Sequence, residues 1–552
     1  MMKQKFLVLV FEVLYSADLY SARFFIRFTD KNNSLFSIST PQDFLSQKAI
    51  IRRTNQNIAV VSSDLPVNSL YIDSVTAIGA TILSKSKWLN GVTIECDSSI
   101  LQNIIALPFV SNATQVRRMA KHIDRPEKKS TVNPMPYIAS PAMMRVQGFD
   151  YGSSFNQIHL MNGEYLHDQG FSGEGMTIAV LDAGFFSVDQ LAAFDSIRSS
   201  NRILGSWDFV DDEPSVYEDN SHGMSVLSCI AGNVPGQLIG TAPRASFWLL
   251  RSEDAATEYI IEEYNWVAAA EFADSVGADL ITSSLGYTTF DDSTMSHTYA
   301  DMNGNTAPSS IGADIAASKG MLILTSAGNS GNNTWYYISA PSDGDSVLSV
   351  AAVDEFGFKA SFSSWGPSSD GDVKPNIAAK GAQTTVADAG GGISTSNGTS
   401  FACPVLAGSA ACLWQAHPDK TNMEIFDAIQ QSANYYLTPG DSLGYGIPNF
   451  IVADLLLGGT MIERPDGDEL IGVYPNPFDE NIEVKFFSGV SQQLDIEVLD
   501  GLGRLVSKQL AEINRGMMNT VKLAPFSNLQ QGIYFMRITT SDNQYLKKII
   551  KY

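Results

Sequence analysis

Four side chains in this sequence are of the kinds that acyl transfer requires: a carboxylate at Asp182, an imidazole at His222, a primary amide at Asn329 and an alcohol at Ser400. An alcohol is a poor nucleophile until a base takes its proton, and imidazole is the side chain suited to that near neutral pH. A carboxylate beside the ring orients it and stabilises its cation, while an amide N–H can hold a developing oxyanion. Each residue also has a plainer reading. Asp182 closes the apolar run "MTIAVLD", where a carboxylate is costly unless paired but often caps a turn or helix. His222, in "DNSHGMSVLSCIAG", could be structural, and Asn329, in "MLILTSAGNSGN", could be a turn asparagine. Ser400, in "NGTSFACPVLAG", reads either as a helix N-cap or as a nucleophile at a helix start, because Pro404 forbids a helix that begins much earlier. The other five histidines, His122, His159, His167, His297 and His417, lack the small-residue turn that surrounds His222.

These groups need a frame, and residues 149–456 supply one. Short apolar runs, "MTIAVLD", "SFWLLR", "DLITSSLG", "MLILTSAGN" and "SVLSVAAVD", alternate with helical stretches such as "EEYNWVAAAEFADSVG". Continuous aliphatic runs separated by helices predict an α/β, doubly wound parallel sheet covered on both faces. Functional groups collect at the carboxyl ends of such strands, where Asp182 and Asn329 fall. His222 opens an amphipathic helix whose buried face holds Val226, Leu227 and Ile230.

The flanks differ in pattern. Residues 23–130 begin, to about residue 117, with mixed strand and helix signals, "RFFIRF", "PQDFLSQKAIIRR", "GVTIEC", which suggest a small α+β domain with two helices, and continue into a basic, proline-bearing linker suited to cleavage. After a Gly/Pro/Asp-rich linker at 457–469, residues 470–552 alternate apolar and polar positions, as a small all-β sandwich would. The start, "MMKQK" and then "FLVLVFEVLYSA", resembles a signal peptide over residues 1–22, cut after Ala17 or Ala22, with a buried helix as the other reading. No later stretch is apolar for long enough to span a membrane. The 552 residues carry a net charge of −23, which disfavours nucleic acid as a partner. The four cysteines, Cys96, Cys229, Cys403 and Cys412, have no metal-ligand spacing and argue against a disulfide scaffold.

Taken together, "GEGMTIAVLDAG", "SHGMSV", "GTAPRA", "SAGNSGN", "KPNIAAKG", "GTSFACPVLAG" and "GYGIPN" resemble the subtilisin-like serine proteases, with the acid, base and alcohol in the order Asp, His, Ser. The resemblance implies a triad of Asp182, His222 and Ser400, with Asn329 and the Ser400 backbone N–H as oxyanion donors. It also implies a cleft along "SSLGY" in which Ser283, Ser284, Leu285 and Gly286 pair with an extended peptide. His222 and Asn329 separate the chain from the sedolisin-like peptidases, which use acidic residues in those roles. Two features depart from familiar subtilisins: the acidic loop "RSEDAATEYIIEEYNW", which reads as a solvated face or a preference for basic substrates, and Cys403 where alanine is usual.

By the same kind of resemblance residues 23–130 are an inhibitory propeptide, or else a retained accessory domain. The C-terminal "YPNPF" module is similar to the type IX secretion sorting domain, or else is a generic sandwich. The implied product is a secreted or cell-surface serine endopeptidase acting on polypeptides, with its own propeptide and the type IX machinery as partners. No cofactor is required and no metal ligand is assigned; Ca2+ is an option as a structural ion, but "DDEPSVYEDN" lacks the spacing of a known calcium loop and reads first as solvated acid. The reading from another class is a catalytically silent surface binding protein built on a protease fold.

Overall fold

Every residue of Thr177–Asp182 and of Val347–Val353 is buried, so each of these strands is covered on both faces, as their continuous apolar sequences require. They belong to a seven-stranded sheet in the computed structural model, which describes residues 21–118, 148–459 and 469–552 apart from 489, 515–517, 524 and 542. Residues 1–20 of the signal-peptide stretch, most of the basic linker and much of the 457–469 linker lie outside the described residues.

The strand order is Ile377–Lys380, Val347–Val353, Leu322–Ser326, Leu280–Ser283, Thr177–Asp182, Ser246–Arg251, Ile203–Asp208, and all the pairings are parallel. The chain leaves Thr177–Asp182 toward one edge and later returns to build out the other side. Asp182 therefore ends the strand at which the winding reverses, the place where an open parallel sheet forms its crevice. Alternate residues of this strand feed opposite cores. Ile178 and Val180 pack with the helices His222–Ala231 and Thr399–Ala416, while Ala179 and Leu181 pack with Ile261–Val276 and Pro308–Ser318.

The N-terminal unit is an antiparallel sheet, ordered Thr81–Ser86, Gly91–Cys96, Ala22–Phe28, Val110–Arg117, with helices Gln47–Asn55, Ser69–Ala77 and Ser98–Ile105. The third of these helices exceeds the two expected. Asp97 starts it by accepting the Ser99 and Ile100 N–H groups, a cap signal that its eight-residue length made easy to miss. At the other end, two antiparallel sheets, of three strands and of four, enclose Phe478, Val484, Phe486, Ile496, Met536 and Ile538, as a sandwich does. All four cysteines are buried and unbridged.

The helix Ile261–Val276 packs against the N-terminal unit. Phe25 stacks on Tyr264 with ring centroids 4.4 Å apart, and Trp88 and Leu89 join the same apolar cluster. Glu271 accepts from Ser86 Oγ at 2.6 Å and from the backbone N–H groups of Lys87 and Trp88 at 2.7 and 2.9 Å. Asp274, fully buried, meets Arg52 at 2.6 Å, Arg53 at 2.8 Å and Lys87 at 3.1 Å. Burial alone would raise the Asp274 pKa, but the three cations outweigh it and hold the carboxyl down at about 2.

Removing one member of a buried ionic group strands the rest, at a cost of about 3–5 kcal/mol. Asp274→Ala is therefore expected to lower the stability of the uncleaved chain by about that amount in urea unfolding. The difference should persist at neutral pH, because a depressed carboxyl contributes above its unfolded value, about 4, and loses that contribution only as pH falls through its folded one. An unchanged urea midpoint for Asp274→Ala would show that the pairing contributes nothing.

Candidate active site

Asp182 has no exposed surface, and its Oδ1 accepts from the Ala183 N–H at 2.8 Å and lies 2.7 Å from His222 Nδ1. A carboxylate only accepts, so the Nδ1 proton points at Asp182 and Nε2 is left with its lone pair. His222 is the first residue of its helix, and its N–H, one of the orphan donors of a helix start, is satisfied by Asn220 Oδ1 at 2.8 Å. The helix approaches the Asp182 strand closely because residue 223 is glycine. A Cβ there would stand 2.5 Å from Gly184 O and 2.7 Å from Asp182 Cβ. Burial works against the imidazolium, but the charge and hydrogen bond of Asp182 outweigh it and raise the His222 pKa above its ordinary value.

Ser400 is the second residue of the helix Thr399–Ala416, and Gly398 takes the N-cap position, so the N-cap reading of Ser400 is corrected. Pro404 falls beyond the first turn, and its missing N–H leaves the Ser400 carbonyl without the usual donor. Ser284 Oγ supplies the bond instead, donating to Ser400 O at 2.8 Å. In return the Ser400 hydroxyl donates to Ser284 O at 3.3 Å. No hydrogen bond joins His222 to Ser400 here; the Phe401 ring, one residue on, lies 5.9 Å from the imidazole.

Asn329 follows the strand Leu322–Ser326 and is exposed. Its Oδ1 accepts from both the N–H and the hydroxyl of Thr399, at 2.9 and 3.0 Å. This pair of hydrogen bonds from the residue before Ser400 fixes the amide plane and turns the NH2 group away from Thr399.

Ser284, Leu285 and Gly286 border a cavity of about 200 Å³ together with Ala183, Asn220 and His222. Ser283 lies beneath it, with its hydroxyl accepting from Trp266 Nε1 at 2.9 Å and its carbonyl facing the Cys403 thiol at 3.8 Å. Cys403 is fully buried, as a small core residue should be. Ser284 Oγ and Thr399 are positioning groups not named among the candidate site residues above. A proline four residues after Ser400, which demands a substitute donor, was the signal available for the first.

In the stretch considered for calcium, Asp211 and Asp219 meet Arg251 at 2.7 and 3.4 Å, and Asp208 just before it does so at 2.5 Å. Among the described residues the acidic groups spaced to hold a cation are elsewhere: Glu253, Glu258 and Glu262, and Asp345, Asp370 and Asp372.

Comparison with known proteins is consistent along the chain. Residues 173–447 match the family model "Subtilase family", residues 23–133 the "Peptidase S8 propeptide domain, Bacteroidota", and residues 472–552 the "Secretion system C-terminal sorting domain". Subtilisin from Bacillus pumilus is 30% identical over 285 residues, covering 51% of this chain and 90% of that protein. Subtilisin E from Bacillus subtilis is 31% identical over 285 residues, covering 51% of this chain and 65% of its own length, just under two thirds. Among solved structures, the MycP3 protease from the type VII (ESX-3) secretion system aligns with a TM-score of 0.44 and 22% identity, over 60% of this chain and 99% of that one.

The electrostatics make a direct prediction. With its folded value raised, the His222–Asp182 pair stabilises the fold fully below the ordinary imidazole pKa, about 6.5, and this contribution fades as pH rises through the folded value. In Asp182→Asn, burial acts alone, so an NMR titration of the imidazole should show His222 below about 6.5. A value as high as in the unsubstituted protein would remove Asp182 as the cause.

Proposed function

The chain belongs to the subtilase family, and from that premise we propose that it is a secreted serine endopeptidase that works through an acyl-enzyme on Ser400. The C-terminal sorting domain marks it for type IX export to the cell surface or beyond. No helix among the described residues is long and apolar enough to cross a membrane.

In the proposed reaction the Ser400 side chain rotates off Ser284 O and turns its hydroxyl toward His222 Nε2, which takes the proton as Oγ attacks the peptide carbonyl. Apo hydrogen bonds of this kind are commonly loose and tighten when substrate arrives. Asp182 balances the positive charge that appears on the ring. The Asn329 NH2 group and the Ser400 N–H, at a helix start where the backbone dipoles favour negative charge, receive the oxyanion. The imidazolium then protonates the departing amine, and a water molecule repeats the cycle on the ester. Ser284 to Gly286 offer backbone groups to an extended polypeptide substrate. The observation that carries this reading is the 2.7 Å bond between a fully buried Asp182 and His222, which leaves Nε2 free to act as a base.

The N-terminal unit is a peptidase S8 propeptide domain docked through the Asp274 cluster, and the enzyme is made as a zymogen. Fluorophosphonate should label the processed protein on Ser400 and leave Ser400→Ala unlabelled, and that variant should accumulate uncut if processing is autocatalytic. Processed, folded protein that takes no label would instead favour the silent binding protein. Asn329→Ala should reduce kcat by about 10²–10³-fold with little change in KM, the size expected for one oxyanion donor. Unchanged turnover would take Asn329 out of the site.

A further inference from the structure

The cavity beside His222 has a second wall that the proposed chemistry does not use. Glu253 and Glu258, from the loop between Ser246–Arg251 and Ile261–Val276, line the same space of about 200 Å³ as His222, Ser284 and Gly286. Behind them Glu262 is only 1% exposed, and neither of its oxygens makes a well-formed hydrogen bond. Carboxylate oxygens of Glu253, Glu258 and Glu262 all lie within 4.8 Å of one another. Tyr287 is fully buried nearby, and its hydroxyl has no hydrogen-bond partner either.

Three carboxylates this close, one of them inside the protein, form an arrangement that calls for positive charge. Burial, reinforced by Glu253 and Glu258, pushes the Glu262 carboxyl well above the ordinary carboxylate range when no cation is present. The chain itself brings cations to this rim. Arg117, the last residue of the propeptide strand Val110–Arg117, reaches Asp254 at 3.6 Å and lies 4.9 Å over the Tyr259 ring. Arg118 reaches Asp292 at 3.2 Å.

We propose that Glu253, Glu258 and Glu262 form a subsite for a lysine or arginine side chain on the N-terminal side of the scissile bond. The proposal rests on the serine endopeptidase reading. It gives the acidic loop the role of selecting basic substrates in place of that of a solvated face. A substrate cation is favoured over a bound metal because two of the three carboxylates open into the cavity that contains His222.

The test uses the processed enzyme and internally quenched peptides that differ only in lysine or norleucine at each position before the cut. At one position lysine should raise kcat/KM by about tenfold or more over norleucine. In Glu258→Gln, and more fully in Glu253→Gln/Glu258→Gln, this ratio should fall toward one, with fluorophosphonate labelling confirming that the variant site is assembled. Equal cleavage of both peptides at every position, or a lysine preference that survives the double substitution, would overturn the proposal. Calcium added to the apo enzyme is the second arm. Equal cleavage together with a Ca2+-induced rise in Tm that the double variant loses would assign the cluster to a metal and overturn it as well. Protein that neither cleaves any peptide nor takes the fluorophosphonate would overturn the endopeptidase reading itself, an outcome distinct from loss of selectivity.

Discussion

A carboxylate with no access to water must be paired, and at Asp182 that requirement organises the site. The residue ends the strand at which the sheet reverses its winding, so it is buried by neighbours on both sides and yet opens on the crevice. The neutral-to-cationic partner placed there is His222, and the approach that makes the 2.7 Å bond is set by backbone rather than by side-chain reach. Gly223 has no Cβ to hold the helix away from the strand, and Asn220 satisfies the first N–H of that helix. Substituting either of those two residues would alter the imidazole without touching it.

A second group of contacts ties the alcohol and the amide to the same frame. Thr399 holds Asn329 Oδ1 with two bonds, while Ser284 replaces the donor that Pro404 withholds from the Ser400 carbonyl. The start of one helix is thereby fastened to the ends of two adjacent strands, Leu280–Ser283 and Leu322–Ser326. This arrangement has the preorganisation that oxyanion stabilisation needs, since donors fixed beforehand cost nothing to reorganise during reaction. It also gives the Ser400 hydroxyl a resting partner, Ser284 O, a bond that the proposed attack breaks.

Much of this was legible in the sequence, for identifiable reasons. Fully apolar runs such as "MTIAVLD" cannot serve on a sheet with one wet face, so the parallel, doubly covered sheet follows from composition, and the strand-end position of Asp182 follows from the sheet. The alternation after residue 470 likewise gives a sandwich. What stayed hidden depends on contacts far apart in the chain. Nothing near Asp274 announces that Arg52 and Arg53, more than two hundred residues earlier, will bury themselves against it. The pairing of Ser284 with Ser400 is equally nonlocal, and Ser400 was open to the N-cap reading because local preference cannot tell a cap from the residue two places further on. The acidity of "RSEDAATEYIIEEYNW" was visible, but the convergence of Glu253, Glu258 and Glu262, the first two on the cavity beside His222, required the fold.

The claim at the centre is that Asp182, His222, Asn329 and Ser400 act as one unit on one reacting atom. A crystal structure of the processed enzyme inactivated by a peptidyl phosphonate tests it most directly. The account predicts phosphorus bonded to Ser400 Oγ, His222 Nε2 within hydrogen-bond distance of that oxygen, and the phosphonyl oxygen accepting from Asn329 Nδ2 and the Ser400 N–H. An adduct on another residue, or a phosphonyl oxygen turned to solvent with Ser400 and His222 still apart, would contradict it.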